Sequence, residues 1–105
     1  MPVYDLEEVR QAALAYKIDY RGRKVQRDIA NMGYQLRDVA QCLAQLRESD
    51  FSKSIDYGKG QAIDDVYIVT YPKPNSENIE FDPLYIKFCL INGSLSIELA
   101  SFHLN

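Results

Sequence analysis

Leu84-Tyr85-Ile86-Lys87-Phe88-Cys89-Leu90-Ile91, then Asn92-Gly93, then Ser94-Leu95-Ser96-Ile97-Glu98-Leu99-Ala100-Ser101 reads as two strands around a turn. Asn-Gly tolerates the positive φ angles of a type I′ turn, whose twist matches that of paired strands. A two-residue loop sets Ile91 against Ser94, Lys87 against Glu98 and Tyr85 against Ala100. Side chains alternate faces along a strand. One face is then Leu84, Ile86, Phe88, Leu90, Leu95, Ile97 and Leu99, an unbroken apolar set that belongs in a core. The other carries Tyr85, Lys87, Cys89, Ser94, Ser96, Glu98 and Ala100, and chemistry belongs there.

Working back from this ribbon, the middle of the chain also reads as strand, around Phe51–Ile55 and Val66–Tyr71. Asp56-Tyr57-Gly58-Lys59-Gly60 and Pro72 to Asn78 are loops by composition. The first half reads helical. Leu6, Val9, Ala13 and Tyr16 recur at helical spacing behind Asp5, a suitable N-cap. After a break at Tyr20-Arg21-Gly22, Val25, Ile29 and Met32 mark a second helix, and Gly33 suits a left-handed cap. Leu36, Val39, Leu43 and Leu46 mark a third, ending near Arg47. Helices first and strands last predict an α+β domain over residues 1–105, its N-terminal helices packed on one face of an antiparallel C-terminal β-sheet.

Composition narrows the function classes. A chain of 105 residues, 47% apolar, can bury one core without staples. Cys42 and Cys89 lack a paired spacing and read as reduced thiols of a cytoplasmic protein. No charged-then-apolar leader opens the chain, and no apolar run is long enough to span a membrane. One histidine and two scattered cysteines do not make a usual zinc site, and no phosphate loop, GxGxxG or nucleophile elbow occurs, so neither metal nor cofactor is expected. Net charge is −3, but Lys17, Arg21, Arg23, Lys24 and Arg27 cluster against Asp19 alone. Such a patch can attract a polyanion locally, because exposed charges are screened beyond about 10 Å. Asp64 and Asp65, as strand neighbours, point to opposite faces and do not form a catalytic carboxylate pair.

Ser49-Asp50-Phe51-Ser52-Lys53-Ser54 precedes Asp64-Asp65-Val66-Tyr67 by ten residues, with Tyr85-Ile86-Lys87 in the next strand and Met32-Gly33-Tyr34 between helices. This combination resembles the MqsR family of toxins from bacterial toxin–antitoxin pairs, small mRNA interferases with a RelE-like fold. The likeness runs from about Val25 to the hairpin. It implies a ribosome-independent endoribonuclease of the cytoplasm that cuts mRNA without metal and is silenced by a cognate antitoxin. Its active site would be a basic and polar cluster on the open sheet face, with Lys53, Tyr85 and Lys87 at the matching positions. The family's glutamine before Asp-Val-Tyr is Asp64 here. Its C-terminal lysine falls on Ala100 in a gapless alignment, or on His103 by the Ser-Phe-x ending. Strict alternation puts His103 on the core side, so it joins the site only at a frayed or bulged strand end.

The chemistry can be argued from the residues as well. RNA carries its own nucleophile, the 2′-hydroxyl, so positioning supplies much of the rate. Lys53 and Lys87 suit stabilisation of the phosphorane, Tyr85 suits phosphate positioning or proton donation, and His103 suits general acid–base work. Arg21, Arg23, Lys24 and Arg27 could line a path for the RNA backbone, and Gly58-Lys59-Gly60 could offer Lys59 and backbone N–H groups to a phosphate. A different class stays open: a non-catalytic RelE-like module that binds protein or nucleic acid through its sheet face, which the acidic balance favours.

Overall fold

The computed structural model describes residues 1–105. Helix α1 (Leu6–Leu14) begins where Asp5 accepts a hydrogen bond from the Glu7 N–H, satisfying a donor left unpaired at the helix start. It stops before Tyr16, whose left-handed φ of 58° and exposed ring take it off the expected apolar stripe. The three-residue strand β1 (Ile18–Tyr20) follows, where the sequence offered only a break. Helix α2 (Arg23–Asn31) is closed by Met32 and by Gly33 at φ 80°, the left-handed cap anticipated. Helix α3 (Leu36–Ala44) ends short of Arg47, and a single tight turn at Glu48–Asp50 leads into β2 (Phe51–Ile55). Strands β3 (Asp64–Pro72), β4 (Phe81–Ile91) and β5 (Ser96–Leu104) complete the chain.

The sheet order is β1-β5-β4-β3-β2. Every pairing is antiparallel except β1 with β5, which makes the sheet mixed rather than purely antiparallel, within an α+β fold. All three helices feed one core. Val9 and Ala13, Val25 and Ile29, and Val39 and Leu43 pack against Tyr67, Leu84, Ile86, Phe88, Ile97, Leu99 and Phe102. The other face of the sheet carries no helix from this core. Asp64 and Asp65 do diverge. Asp64 joins Arg21 and Tyr57, whereas Asp65 accepts from the backbone N–H groups of Val3 and Tyr4 and from the Ser54 hydroxyl, tying the N-terminus to the sheet.

The closing ribbon departs from its expected register in two steps. Ile91 pairs with Ser96, so the loop holds the four residues Asn92 to Leu95 rather than two. Asn92, Gly93 and Ser94 all take positive φ, and Leu95 is 63% exposed in the turn instead of in the core. Glu98 therefore opposes Cys89, not Lys87. This first shift of two residues preserves face parity, which is why Ile97 and Leu99 are still fully buried. The second step is a bulge. Phe88 opposes Leu99 but Lys87 opposes Ser101, which leaves Ala100 without a partner. One extra residue reverses the faces of everything after it. Phe102 turns inward and is fully buried, while His103 turns outward opposite Tyr85, not onto the core side that strict alternation gave it.

The bulge is thus what lets the strand bury Phe102 and present His103 together. Deleting Ala100 should force a choice between them. Because loss of a buried Phe costs about 3–5 kcal/mol, the deletion variant should lose about that much unfolding free energy in urea titration. Unchanged stability would show that the bulge is dispensable.

Candidate active site on the open sheet face

The register places Lys53, Val66, Lys87 and Ser101 in one row across β2, β3, β4 and β5. Two strand spacings separate the lysine backbones, about 10 Å, and flexible four-carbon stems can bring both ammonium groups toward one phosphate. Neither lysine lies within 4 Å of a carboxylate, so both cations remain unpaired. The next row holds Ile68, Tyr85 and His103. The Tyr85 and His103 rings stack, with centroids 5.1 Å apart and planes 11° from parallel. His103 Nδ1 lies 2.9 Å from the Leu104 carbonyl oxygen. A carbonyl only accepts, so that bond requires the proton on Nδ1 and leaves Nε2 as the neutral ring's acceptor.

In the opposite direction along the strands the face is closed by an ion-paired cluster. Arg21, just past β1, reaches over β5 and β4 to β3. Its Nη1 and Nη2 donate to the two Asp64 carboxylate oxygens at 2.8 Å each, its Nε donates to Glu98 at 2.7 Å, and Nη2 lies 3.3 Å from Cys89 Sγ. Tyr57 Oη–H donates to Asp64 at 2.6 Å from the loop between β2 and β3. Asp64 is left with no exposure. Burial pushes its carboxyl up, but the bonds from Arg21 and then Tyr57, with Lys87 also in range, more than offset that and hold it below the ordinary range. Arg21 is raised further, chiefly by its bond to Asp64 and then by Glu98, against the opposing effect of burial. Burial pushes the Cys89 thiol up despite the nearby guanidinium, so it stays protonated and is no nucleophile.

The residues expected to contact substrate are therefore divided. Arg21 and Asp64 are bonded to each other. Arg23, Lys24 and Arg27 lie exposed on α2, with Lys24 bonded to Asp28 at 2.7 Å. The Asp28 carboxyl is held low chiefly by that Lys24 bond. Lys59 is exposed in its loop at φ 55°, between two glycines. Sequence reasoning did not single out Tyr57, Glu98 or Cys89 as neighbours of Asp64. The position of Cys89 followed from alternation, but the reach of Arg21 across three strands has no local sequence signal. The largest cavity, about 520 Å³, lies away from this cluster, beside β3 beyond its last partner in β2, lined by Cys42, Leu46, Val69 and Tyr71.

Arg21→Ala should leave Asp64 buried beside Tyr57 alone. Breaking a fully buried pair costs roughly 3–5 kcal/mol, and the partial exposure of Arg21 reduces this to about 2 kcal/mol. Since Asp64 is held low in the folded state, its contribution is present above its unfolded pKa and lost as pH falls through the folded one. Asp64→Asn should flatten the acid limb of stability against pH below about pH 4, measured by chemical unfolding.

The family model described as "Motility quorum-sensing regulator, toxin of MqsA" matches residues 1–103 of the chain. No curated protein matches it.

Proposed function

The chain belongs to the MqsR toxin family, the toxin side of a toxin–antitoxin pair, and on that premise we propose that it is a metal-independent endoribonuclease cutting mRNA on its open sheet face. The observation that carries this reading is the outward turn of His103 onto Tyr85, one row from two unpaired lysines. That row supplies what cleavage through the 2′-hydroxyl needs. His103 Nε2 takes the proton from the 2′-hydroxyl as its oxygen attacks phosphorus. Lys53 and Lys87 bear on the non-bridging oxygens as charge builds on the phosphorane. Tyr85 donates a proton to the departing 5′ oxygen as the P–O bond breaks, leaving a 2′,3′-cyclic phosphate and a free 5′-hydroxyl. The departure from the family's terminal lysine to His103 exchanges an ammonium for an imidazole, whose neutral ring carries an acceptor nitrogen. Arg23, Arg27 and Lys59 guide the RNA backbone from the rim. A cognate antitoxin holds the protein silent in the cell.

Net charge of −3 favours a second reading, in which the face binds RNA or protein without cutting it. The two readings separate in one set of measurements. Expressed alone, the protein should arrest growth, and the purified protein should cut RNA in the presence of EDTA. Lys53→Ala should slow cleavage about a hundred- to a thousandfold, the usual cost of one preorganised charge donor. Tyr85→Phe should relieve the arrest, and His103→Ala should slow cleavage. RNA left intact under these conditions, with normal growth at high expression, would establish the binding module instead.

A further inference from the structure

Tyr57 is the one large aromatic side chain anchored at the Asp64 end of the open face with its ring left to solvent. It is 42% exposed, although its hydroxyl points inward to an aspartate with no exposure. Asp64 is itself gripped on both oxygens by Arg21, which Glu98 holds in turn. The turn that carries Tyr57 is fixed by Asp56, which accepts from the Gly58 N–H at 2.9 Å, and by the Gln61 N–H bonded to the Gly58 carbonyl at 3.1 Å. No other ring stacks on Tyr57. Burial, and then the bond to Asp64, raises its phenol to about 12, so it remains the donor in that bond at any physiological pH. A flat apolar plate is thereby held in place at its polar end, with part of its surface open to solvent.

What lies beside the plate suggests its use. Asp64 extends the β3–β4 register to a position opposite Cys89, two residues from Lys87, which is about 7 Å along the strand. Lys87 is near enough to help hold the Asp64 carboxyl low. Exposed rings next to unpaired cations are the two components of a single-strand platform: cations track the phosphates, and the ring takes a base. A bland surface tyrosine would not need its hydroxyl clamped by a buried carboxylate and a two-carboxylate arginine.

We propose that Tyr57 is a base-stacking residue for single-stranded RNA, receiving the base of a nucleotide adjacent to the phosphate held by Lys53 and Lys87, and that Asp64 and Arg21 are positioning residues that hold its ring. This rests on the nuclease reading for the placement of the phosphate. It assigns Asp64 and Arg21 to the support of the plate rather than to contact with RNA. Stacking on a ring accepts any base, so the plate sets how strongly the strand is held more than which sequence is chosen.

The chain contains no tryptophan, so Tyr57→Trp introduces a single indole reporter at the plate. The probe is a fluorescein-labelled single-stranded RNA octamer of mixed sequence, methylated at every 2′-oxygen so that it cannot be cut. Tyr57→Ala should weaken its binding about five- to a hundredfold by fluorescence anisotropy, the range seen when a stacking aromatic is removed. With unlabelled octamer, Tyr57→Trp, which keeps a stacking ring without the hydroxyl, should bind more tightly than Tyr57→Ala and lose indole fluorescence on saturation, and an abasic octamer should leave that fluorescence unchanged. Equal binding by wild type and Tyr57→Ala, or an indole indifferent to the intact octamer, overturns the stacking role. Wild type that cuts unmodified RNA while either of those results holds leaves the nuclease reading standing. A Tyr57-dependent octamer complex without cleavage of unmodified RNA supports the plate and removes the nuclease.

Discussion

One unpaired residue, Ala100, decides what the end of this molecule can do. Antiparallel strands impose a two-residue period, and with helices on only one face of the sheet that period separates core from chemistry. β5 obeys it through Leu99, then slips by one position against β4. After the slip, a phenylalanine that would have faced solvent fills the core, and a histidine that would have been buried meets Tyr85. The core gains a large apolar side chain, worth about 1.5–3 kcal/mol by burial, for the loss of one ladder position. The same slip assembles the stacked pair. Stability and site composition here share one cause.

Electrostatics then divides the open face. At one end, Arg21 is committed to Asp64 and Glu98, so its charge is spent within the protein. One row on, Lys53 and Lys87 have no carboxylate partner and their charge is available to an anion. Screening confines each charge's influence to about 10 Å in ordinary salt, so these two cations act on a nearby anion even though the molecule as a whole is acidic. The dipeptide Asp64-Asp65 illustrates the economy of the arrangement. Its two carboxylates point to opposite faces, one bracing the open face through Arg21 and Tyr57, the other fastening the N-terminal segment at Val3 and Tyr4.

Much of the fold was legible because it follows from period and local turn chemistry. The three helices, the Gly33 cap, the strand at Phe51–Ile55 and the apolar face of the ribbon all come from short-range patterns. Strand β1 was not legible, since three residues carry no period and its parallel partner lies far along the chain. Hairpin register failed at Asn92-Gly93 because Ser94 also took a left-handed φ, lengthening the loop to four residues. The bulge did leave a mark. Apolar residues at Ile97 and Leu99 are followed by Phe102, three positions on rather than two, and that single odd interval is the trace of an extra residue. Lys87 could be assigned to the face from parity alone, whereas Lys53 came from the family resemblance, since β2 carries an irregularity between Phe51 and Lys53. The Arg21–Asp64–Tyr57 cluster could be assigned from neither, because it joins residues distant in sequence through long side chains.

The short tail beyond the bulge behaves as an exchangeable tool holder. Phe102 seats it in the body of the protein, while Ser101 and His103 point away from everything that must stay packed. Replacements at those two outward sites can alter acidity, charge or reach without repacking the interior. A lineage could therefore exchange this protein's terminal side chain in single steps, and a protein engineer could do the same.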